Sequence, residues 1–132
     1  MKKLFLIFLI CPTTFVACHE SLEEKAAREA AEFTRKNCPV AVSENIVNDS
    51  MVYEKNTRTI HYYYTINGNA DTTAINIQQA RDMLIKGVKD ATALRPYKEA
   101  GFNFAYTYFS AKNKGKKLIE VPITPKDYNA SE

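Results

Sequence analysis

The chain has 132 residues, which is the size of one domain. Hydrophobic residues make up 45% and charged residues 25%, so the composition excludes a disordered tail, a collagen-like repeat and a disulfide-dense miniprotein. The net charge is +3, but Lys2 and Lys3 lie in a segment that we expect to be removed, and 16 basic residues then face 15 acidic ones. Because nucleic-acid binding needs a concentrated basic surface, we expect no nucleic-acid partner.

The N-terminal segment has the three parts of a secretory signal peptide. Lys2 and Lys3 supply positive charge, residues 4–10 form an unbroken apolar run, and a short region leads to Cys18. The apolar run is too short to span a membrane. We therefore predict a signal peptide over residues 1–17.

The last residues of this segment, Phe15-Val16-Ala17-Cys18, resemble a bacterial lipobox, although Phe15 stands where leucine is usual. In a lipobox the cysteine is diacylated and becomes the first residue of the mature protein. We expect lipidation at Cys18, a lipid-anchored linker over residues 18–20, and a location in the bacterial cell envelope, at the outer membrane. Each buried CH₂ contributes about 0.8 kcal/mol, so the anchor would supply all the membrane binding. Plain secretion is the alternative.

The cysteine count is consistent with this interpretation. Cys11 leaves with the signal peptide and Cys18 is used for the lipid, so Cys38 is the one mature thiol and no intramolecular disulfide can form. Without lipidation, a Cys18–Cys38 bridge is conceivable in an oxidising compartment. We expect Cys38 to be mostly buried, packing behind the first helix as a small apolar side chain.

Two helices are predicted. Ser21 and Glu24 form a capping box, and the first helix runs to about Lys36, where Asn37 and Pro39 end it. The second helix covers about residues 74–92, after cap candidates at residues 71–73, and Gly87 within it suggests close packing. A short helical turn follows at residues 97–100.

Two hairpins complete the fold. Residues 50–55 and 59–66 pair around a turn, and residues 102–109 pair with a strand around Ile119–Ile123. Residues 40–49 are interpreted as a polar connection and residues 125–132 as a flexible tail. We predict a single α+β domain over residues 21–124, a two-layer sandwich of a four-stranded antiparallel sheet with two helices on one face, in the order α-β-β-α-β-β.

Strand alternation divides the aromatic side chains between two faces. Ile60, Tyr62, Tyr64 and Ile66 share one face, which we predict to be the core face, opposite Phe102, Phe104, Tyr106 and Tyr108. His61, Tyr63 and Phe109 would lie on the other face and form a candidate binding face if nothing covers it. Alternatively, the tail hides these residues, or they are present only as good strand formers.

Three stretches together resemble a group of small exported bacterial lipoproteins of uncharacterised function. They are Asn37-Cys38-Pro39, residues 59–64, and residues 97–102 leading to Tyr106. The resemblance spans roughly residues 20–128 and implies a helix, a Cys-Pro step and paired hairpins. It contains no catalytic signature, and the functional residue that it implies is Cys18.

Few residues suggest chemistry. Cys38 and His61 could form a thiolate–imidazole pair, but no local motif supports a cysteine hydrolase. His19 and His61 do not have the spacing of a metal site, and we expect neither a metal nor another cofactor. Four lysines crowd the second hairpin turn, where they either contact an anionic surface such as lipid headgroups or protect a solvated hairpin tip; they are Lys112, Lys114, Lys116 and Lys117.

The sequence therefore predicts a non-enzymatic, lipid-anchored envelope protein that acts as a binding or accessory module, with an envelope protein as a possible partner. The alternative is an inhibitor or immunity-type protein that blocks an enzyme in the envelope. A hydrolase would require Cys38 and His61 within hydrogen-bond reach in a cleft.

Overall fold

The structure is a computed structural model and describes residues 19–71 and 74–131. The predicted signal peptide and the predicted lipidation site, Cys18, lie outside these residues. Within the described ranges, no helix is long and apolar enough to cross a membrane.

The first helix, α1 (Leu22–Asn37), begins at the predicted capping box. The Ser21 hydroxyl accepts a hydrogen bond from the Glu24 backbone N–H, and the Glu24 carboxylate accepts one from the Ser21 N–H. Two basic residues in the last turn favour the negative end of the helix dipole. The helix ends at Cys38, and the peptide bond between Cys38 and Pro39 is cis.

Five strands form one open mixed sheet. They are β1 (Val40–Ser43), β2 (Ile46–Glu54), β3 (Thr59–Ile66), β4 (Asn103–Ser110) and β5 (Lys117–Ile123). Their order in the sheet is the order in the chain. Neighbouring strands are antiparallel, except that β3 and β4 are parallel. The α+β class is thus confirmed, while the predicted four-stranded, fully antiparallel sheet is wrong.

The extra strand comes from residues 40–49, which are not a polar connection. They contain β1, a tight turn and the beginning of β2. Asn48 interrupts the apolar pattern, yet it is 3% exposed because its amide donates to the Tyr63 carbonyl and accepts from the Cys38 thiol. A buried polar residue with its hydrogen bonds made is compatible with a strand, but its sequence signal is that of a loop.

The second helix, α2 (Ile77–Asp90), is shorter than predicted and begins at a different cap. The Asn76 side chain accepts a hydrogen bond from the Gln79 N–H, so the helix does not start from the predicted cap residues 71–73, of which residues 72 and 73 lie outside the described ranges. A Cβ atom placed at Gly87 would meet nothing within 4 Å, so its predicted role in close packing is wrong.

Two short helices complete the structure. α3 (Arg95–Glu99) contains the predicted turn, and α4 (Pro125–Tyr128) replaces the first part of the predicted flexible tail. Thr124 and Asp127 form a second capping box, and Tyr128 is 6% exposed, with its hydroxyl donating to the Phe102 carbonyl at 2.8 Å. The sequence of this segment is polar because a single buried ring, that of Tyr128, attaches it to the core in place of a stripe of apolar side chains.

The four α-helices in the described part of the chain pack on the same face of the sheet. One buried cluster joins side chains from every helix to those of the three strands β3, β4 and β5. Phe104 is completely buried and lies between Ile60 on one neighbouring strand and Ile123 on the other. The prediction that the even-numbered side of β3 faces the core is confirmed.

Removing the Tyr128 ring tests whether α4 belongs to the folded domain. Tyr128→Ala should lower the free energy of unfolding by about 3–5 kcal/mol, because a buried aromatic ring and its hydrogen bond are lost. Lys126→Ala, an exposed change in the same helix, should stay within about 0.5 kcal/mol. Urea unfolding measures both. Equal midpoints for the two variants would show that residues 125–132 are a dispensable tail.

Candidate binding surfaces

The three residues of the predicted binding face lie together on the sheet face opposite the helices. The His61 and Tyr63 rings are stacked with centroids 4.1 Å apart, and the Phe109 ring lies next to Tyr63 at 6.3 Å. No described helix packs on this side, which we call the open face. His61 itself is only 6% exposed, because its neighbours cover it.

A chain of polar contacts runs across the open face. His61 Nδ1 lies 2.6 Å from Glu54 Oε1, and His61 Nε2 lies 2.6 Å from Thr107 Oγ1. The Thr107 hydroxyl also contacts a Glu120 oxygen at 3.2 Å, and Lys117 donates to the same carboxylate at 2.8 Å. The hydrogen bond from Lys117 lowers the pKa of Glu120, which therefore stays ionised.

These polar contacts resemble those of a hydroxyl–imidazole–carboxylate catalytic triad, but a substrate cannot reach them. Thr107 is 1% exposed, so a substrate could not approach its hydroxyl. The polar side chains of the chain bond to one another, which leaves few groups free to bind a ligand. These contacts therefore fix side chains across four strands, β2 to β5, and they are a poor candidate for catalysis.

The opposite face has a different feature, which the sequence analysis missed. Helix α1 lies over β2, and α2 lies over β5, so the middle strands β3 and β4 are only partly covered. Four half-buried, stacked tyrosine rings lie there, with ring centroids 4.8 to 6.3 Å apart. We call this surface the tyrosine cleft; its floor is Tyr62, Tyr64, Tyr106 and Tyr108.

The four tyrosine side chains of the cleft are half-buried, at the boundary between the core and the solvent. None of their hydroxyl groups makes a hydrogen bond with another residue in the described ranges, and none is among the buried atoms that lack a partner. Burial raises the pKa of Tyr62 to about 12, and it also raises the pKa of Tyr106 and of Tyr64, so all three remain neutral at physiological pH. The cleft therefore presents uncharged hydroxyls in a largely apolar setting.

An apolar pocket of about 230 Å³ extends the tyrosine cleft under α2. Tyr108 forms one side of it, and Leu84 and Met83 of α2 form another. Met83 is 68% exposed, an unusual state for a large apolar side chain beside an apolar pocket. Gly87, one helical turn further on, leaves α2 without a side chain at that point.

The other candidate residues are not brought together. Cys38 caps α1 and contacts Asn48, while the contacts of His61 are with Glu54, Tyr63 and Thr107. Cys38 is intermediate in burial, and burial with the nearby Asp49 carboxylate raises the pKa of its thiol. Within the described ranges, no group of three or more His, Cys, Asp or Glu side chains is placed to hold a metal ion.

One sequence signal could have identified the tyrosine cleft. The four floor positions carry tyrosine, where a closed core would favour phenylalanine or an aliphatic residue. A tyrosine hydroxyl needs a hydrogen-bond partner or water. Four such residues at facing positions of two strands therefore indicate a core face that is open to solvent.

The raised pKa of Tyr62 predicts the pH dependence of stability. An unfolded tyrosine loses its proton near pH 10, whereas folded Tyr62 keeps it to about pH 12. The unfolded state therefore binds fewer protons in this window, and the free energy of unfolding should fall as pH rises from about 10 to 12. Tyr62→Phe should make this fall shallower, as followed by urea unfolding. An unchanged slope in the variant would contradict the burial of this hydroxyl.

Sequence comparison identifies one family. The family model described as a domain of unknown function, DUF8479, matches residues 21–119. No curated protein matches the sequence at a significant level.

Solved structures of three bacterial proteins share the fold. The pilotin EpsS of the Vibrio vulnificus type 2 secretion system has a TM-score of 0.66 at 13% identity, over 83% of this chain and 93% of the pilotin. The type II secretion system pilotin AspS of Vibrio cholerae has a TM-score of 0.60 at 12% identity, over 80% and 90%. A Pseudomonas aeruginosa protein inferred to be secreted has a TM-score of 0.65 at 15% identity, over 83% and 99%. At these identities the similarity establishes the fold.

Proposed function

This chain belongs to the DUF8479 family, and we propose that it is a lipid-anchored, non-enzymatic accessory protein of the bacterial cell envelope. Cys18 carries the lipid, and the domain binds one segment of an envelope protein in the tyrosine cleft. The similarity to two secretion-system pilotins over 90% or more of their length supports an accessory role in the envelope.

We place the partner in the tyrosine cleft because the two faces of the sheet differ in hydrogen bonding. On the open face, the polar side chains around His61 bond to one another. In the tyrosine cleft, four hydroxyls have no partner among the described residues and lie beside an apolar pocket. A bound segment would bury that pocket and satisfy the hydroxyls at the same time. The open face, with His61, Tyr63 and Phe109, is the second candidate surface.

The position of α1 suits a short anchor. The helix begins at Leu22, so three residues, 19–21, separate it from Cys18, and an extended chain of that length reaches about 10 Å. Arg28 holds Glu20 in this linker through two contacts, at 2.7 and 3.0 Å. The domain would therefore lie close to the bilayer rather than on a long tether.

The lipid attachment can be tested directly. Cys18→Ala should abolish incorporation of a labelled fatty acid and release the protein from the membrane fraction, because no thiol remains at the lipobox. Cys38→Ala is the matched control and should keep both the label and the membrane location. Label that persists on Cys18→Ala would refute the anchor, and secretion of the wild-type chain without label would support plain export.

The choice of the tyrosine cleft can be tested with two equivalent substitutions. Met83→Glu places a charge at the cleft and Val52→Glu places one on the open face, at side chains that are 68% and 42% exposed. Both should fold, since exposed changes stay near 0.5 kcal/mol. Met83→Glu should lose the envelope protein that co-purifies with the wild type, and Val52→Glu should retain it. Mass spectrometry and urea unfolding provide the two measurements.

Other outcomes would change the assigned binding surface or the proposed function. Loss of the partner in Val52→Glu alone would move the binding site to the open face. A partner that is itself an enzyme, inhibited on binding, would favour the inhibitor or immunity-type alternative over an accessory role.

A further inference from the structure

The turn between β4 and β5 carries a concentrated positive charge. We call it the lysine hairpin; its basic residues are Lys112, Lys114, Lys116 and Lys117. All four residues are exposed. Lys117 pairs with Glu120, whereas Lys114 forms no hydrogen bond or ion pair with any described residue. In a mature chain with nearly balanced charge, this is a local excess of positive charge.

Hydrogen bonds at its base support the backbone of the lysine hairpin. One carboxylate oxygen of Asp71 accepts from the Ser110 hydroxyl at 2.9 Å and from the Lys112 N–H at 2.8 Å. The Ser110 hydroxyl also accepts from the Asn113 N–H, and the Asn113 carbonyl accepts from the Lys116 backbone N–H. These bonds fix the backbone that carries the lysines, and a fixed backbone lowers the entropic cost of binding an anionic partner.

A shallow depression lies beside these lysines on the open face. It has a volume of about 460 Å³ and is lined by the Phe109 ring, Thr65, Ala111 and Lys114. The depression therefore combines an aromatic wall with an ammonium group. This combination suits a polypeptide that carries carboxylates next to an apolar side chain.

The lysine hairpin and the start of α1 lie at opposite ends of the sheet. Glu23, in the first turn of α1, pairs with Arg58, which directly precedes β3. Asn103, at the start of β4, donates a hydrogen bond to the carbonyl of Thr57 in the turn between β2 and β3. The hairpin follows the far end of β4, eight residues later, which is about 25 Å away at about 3.3 Å per residue. If Cys18 is the anchor, as the proposed function states, the lysines lie at the end of the sheet opposite to the anchored end of α1. This geometry disfavours lipid headgroups as their partner.

From these observations we infer that the lysine hairpin and the Phe109 depression form a docking site for an acidic polypeptide segment. The lysines bind its carboxylates, and the depression takes an apolar side chain between them. The site is distinct from the tyrosine cleft, because it lies on the other face of the sheet. A partner could therefore contact both surfaces only by passing around the sheet edge.

Fluorescence anisotropy with a defined probe tests this inference. The protein is residues 19–132, without lipid, so the result does not depend on Cys18. The probe is a labelled peptide of alternating Glu, Phe and Asp, and the control peptide has Gln and Asn in place of the acids. The acidic peptide should bind, binding should weaken as salt increases, and the control peptide should not bind.

Charge-matched variants separate a specific site from net charge. Replacing Lys112, Lys114 and Lys116 by Gln should weaken binding about tenfold or more, as expected for three exposed ion pairs. Replacing Lys36, Lys55 and Lys126 by Gln removes the same charge elsewhere and should leave the affinity within about twofold. Circular dichroism confirms that both variants are folded.

Three outcomes would overturn the inference. They are no binding of the acidic peptide, equal weakening by the two triple variants, and stronger binding to phosphatidylglycerol vesicles than to the peptide. The third outcome would assign the hairpin to a membrane surface. None of them bears on the tyrosine cleft, which the Met83→Glu variant tests separately.

Discussion

The parallel pairing of β3 with β4 is the constraint on which the rest of the structure depends. Two parallel strands cannot be joined by a tight turn, so the chain must cross the sheet between Ile66 and Asn103. That crossover contains α2 and α3 and brings them to the face that α1 already covers. The register places Tyr62 beside Tyr106 and Tyr64 beside Tyr108, and each stacked pair contributes about 0.5–1.5 kcal/mol beyond the area that it buries.

The same pairing explains why the helix layer leaves a cleft. One helix covers the β2 side and the other covers the β5 side, while the parallel pair lies between them. At one end of the sheet, Ala26 of α1 and Val88 of α2 enter a common core. Along the rest, the tyrosine rings stack on the sheet surface and are only half-buried. A pocket bounded by Met83 and Leu84 therefore persists in a well-packed domain.

Local signals in the sequence predicted most elements, whereas contacts between distant segments decided the sheet. Ser21 and Glu24 fixed the start of α1, and alternation identified the core face of β3. No local pattern distinguishes parallel from antiparallel pairing, so the order β3-β4 was missed. Asn48 and Tyr128 were assigned to a loop and a tail because the partners that bury them, Tyr63 and Phe102, are distant in sequence. The His61, Tyr63 and Phe109 group was brought together as expected, but only the contacts show that its polar groups are already paired.

The central claim is that the partner binds between the helices, over the stacked tyrosines. Photo-crosslinking in living cells tests it most directly, with a photoreactive amino acid placed at Tyr106 in the cleft or at Tyr63 on the open face. Both residues are half-buried, so the two positions are comparable. We expect the Tyr106 position to crosslink to a single envelope protein and the Tyr63 position to give no such product. A crosslink to the same protein from Tyr63 alone would contradict the account.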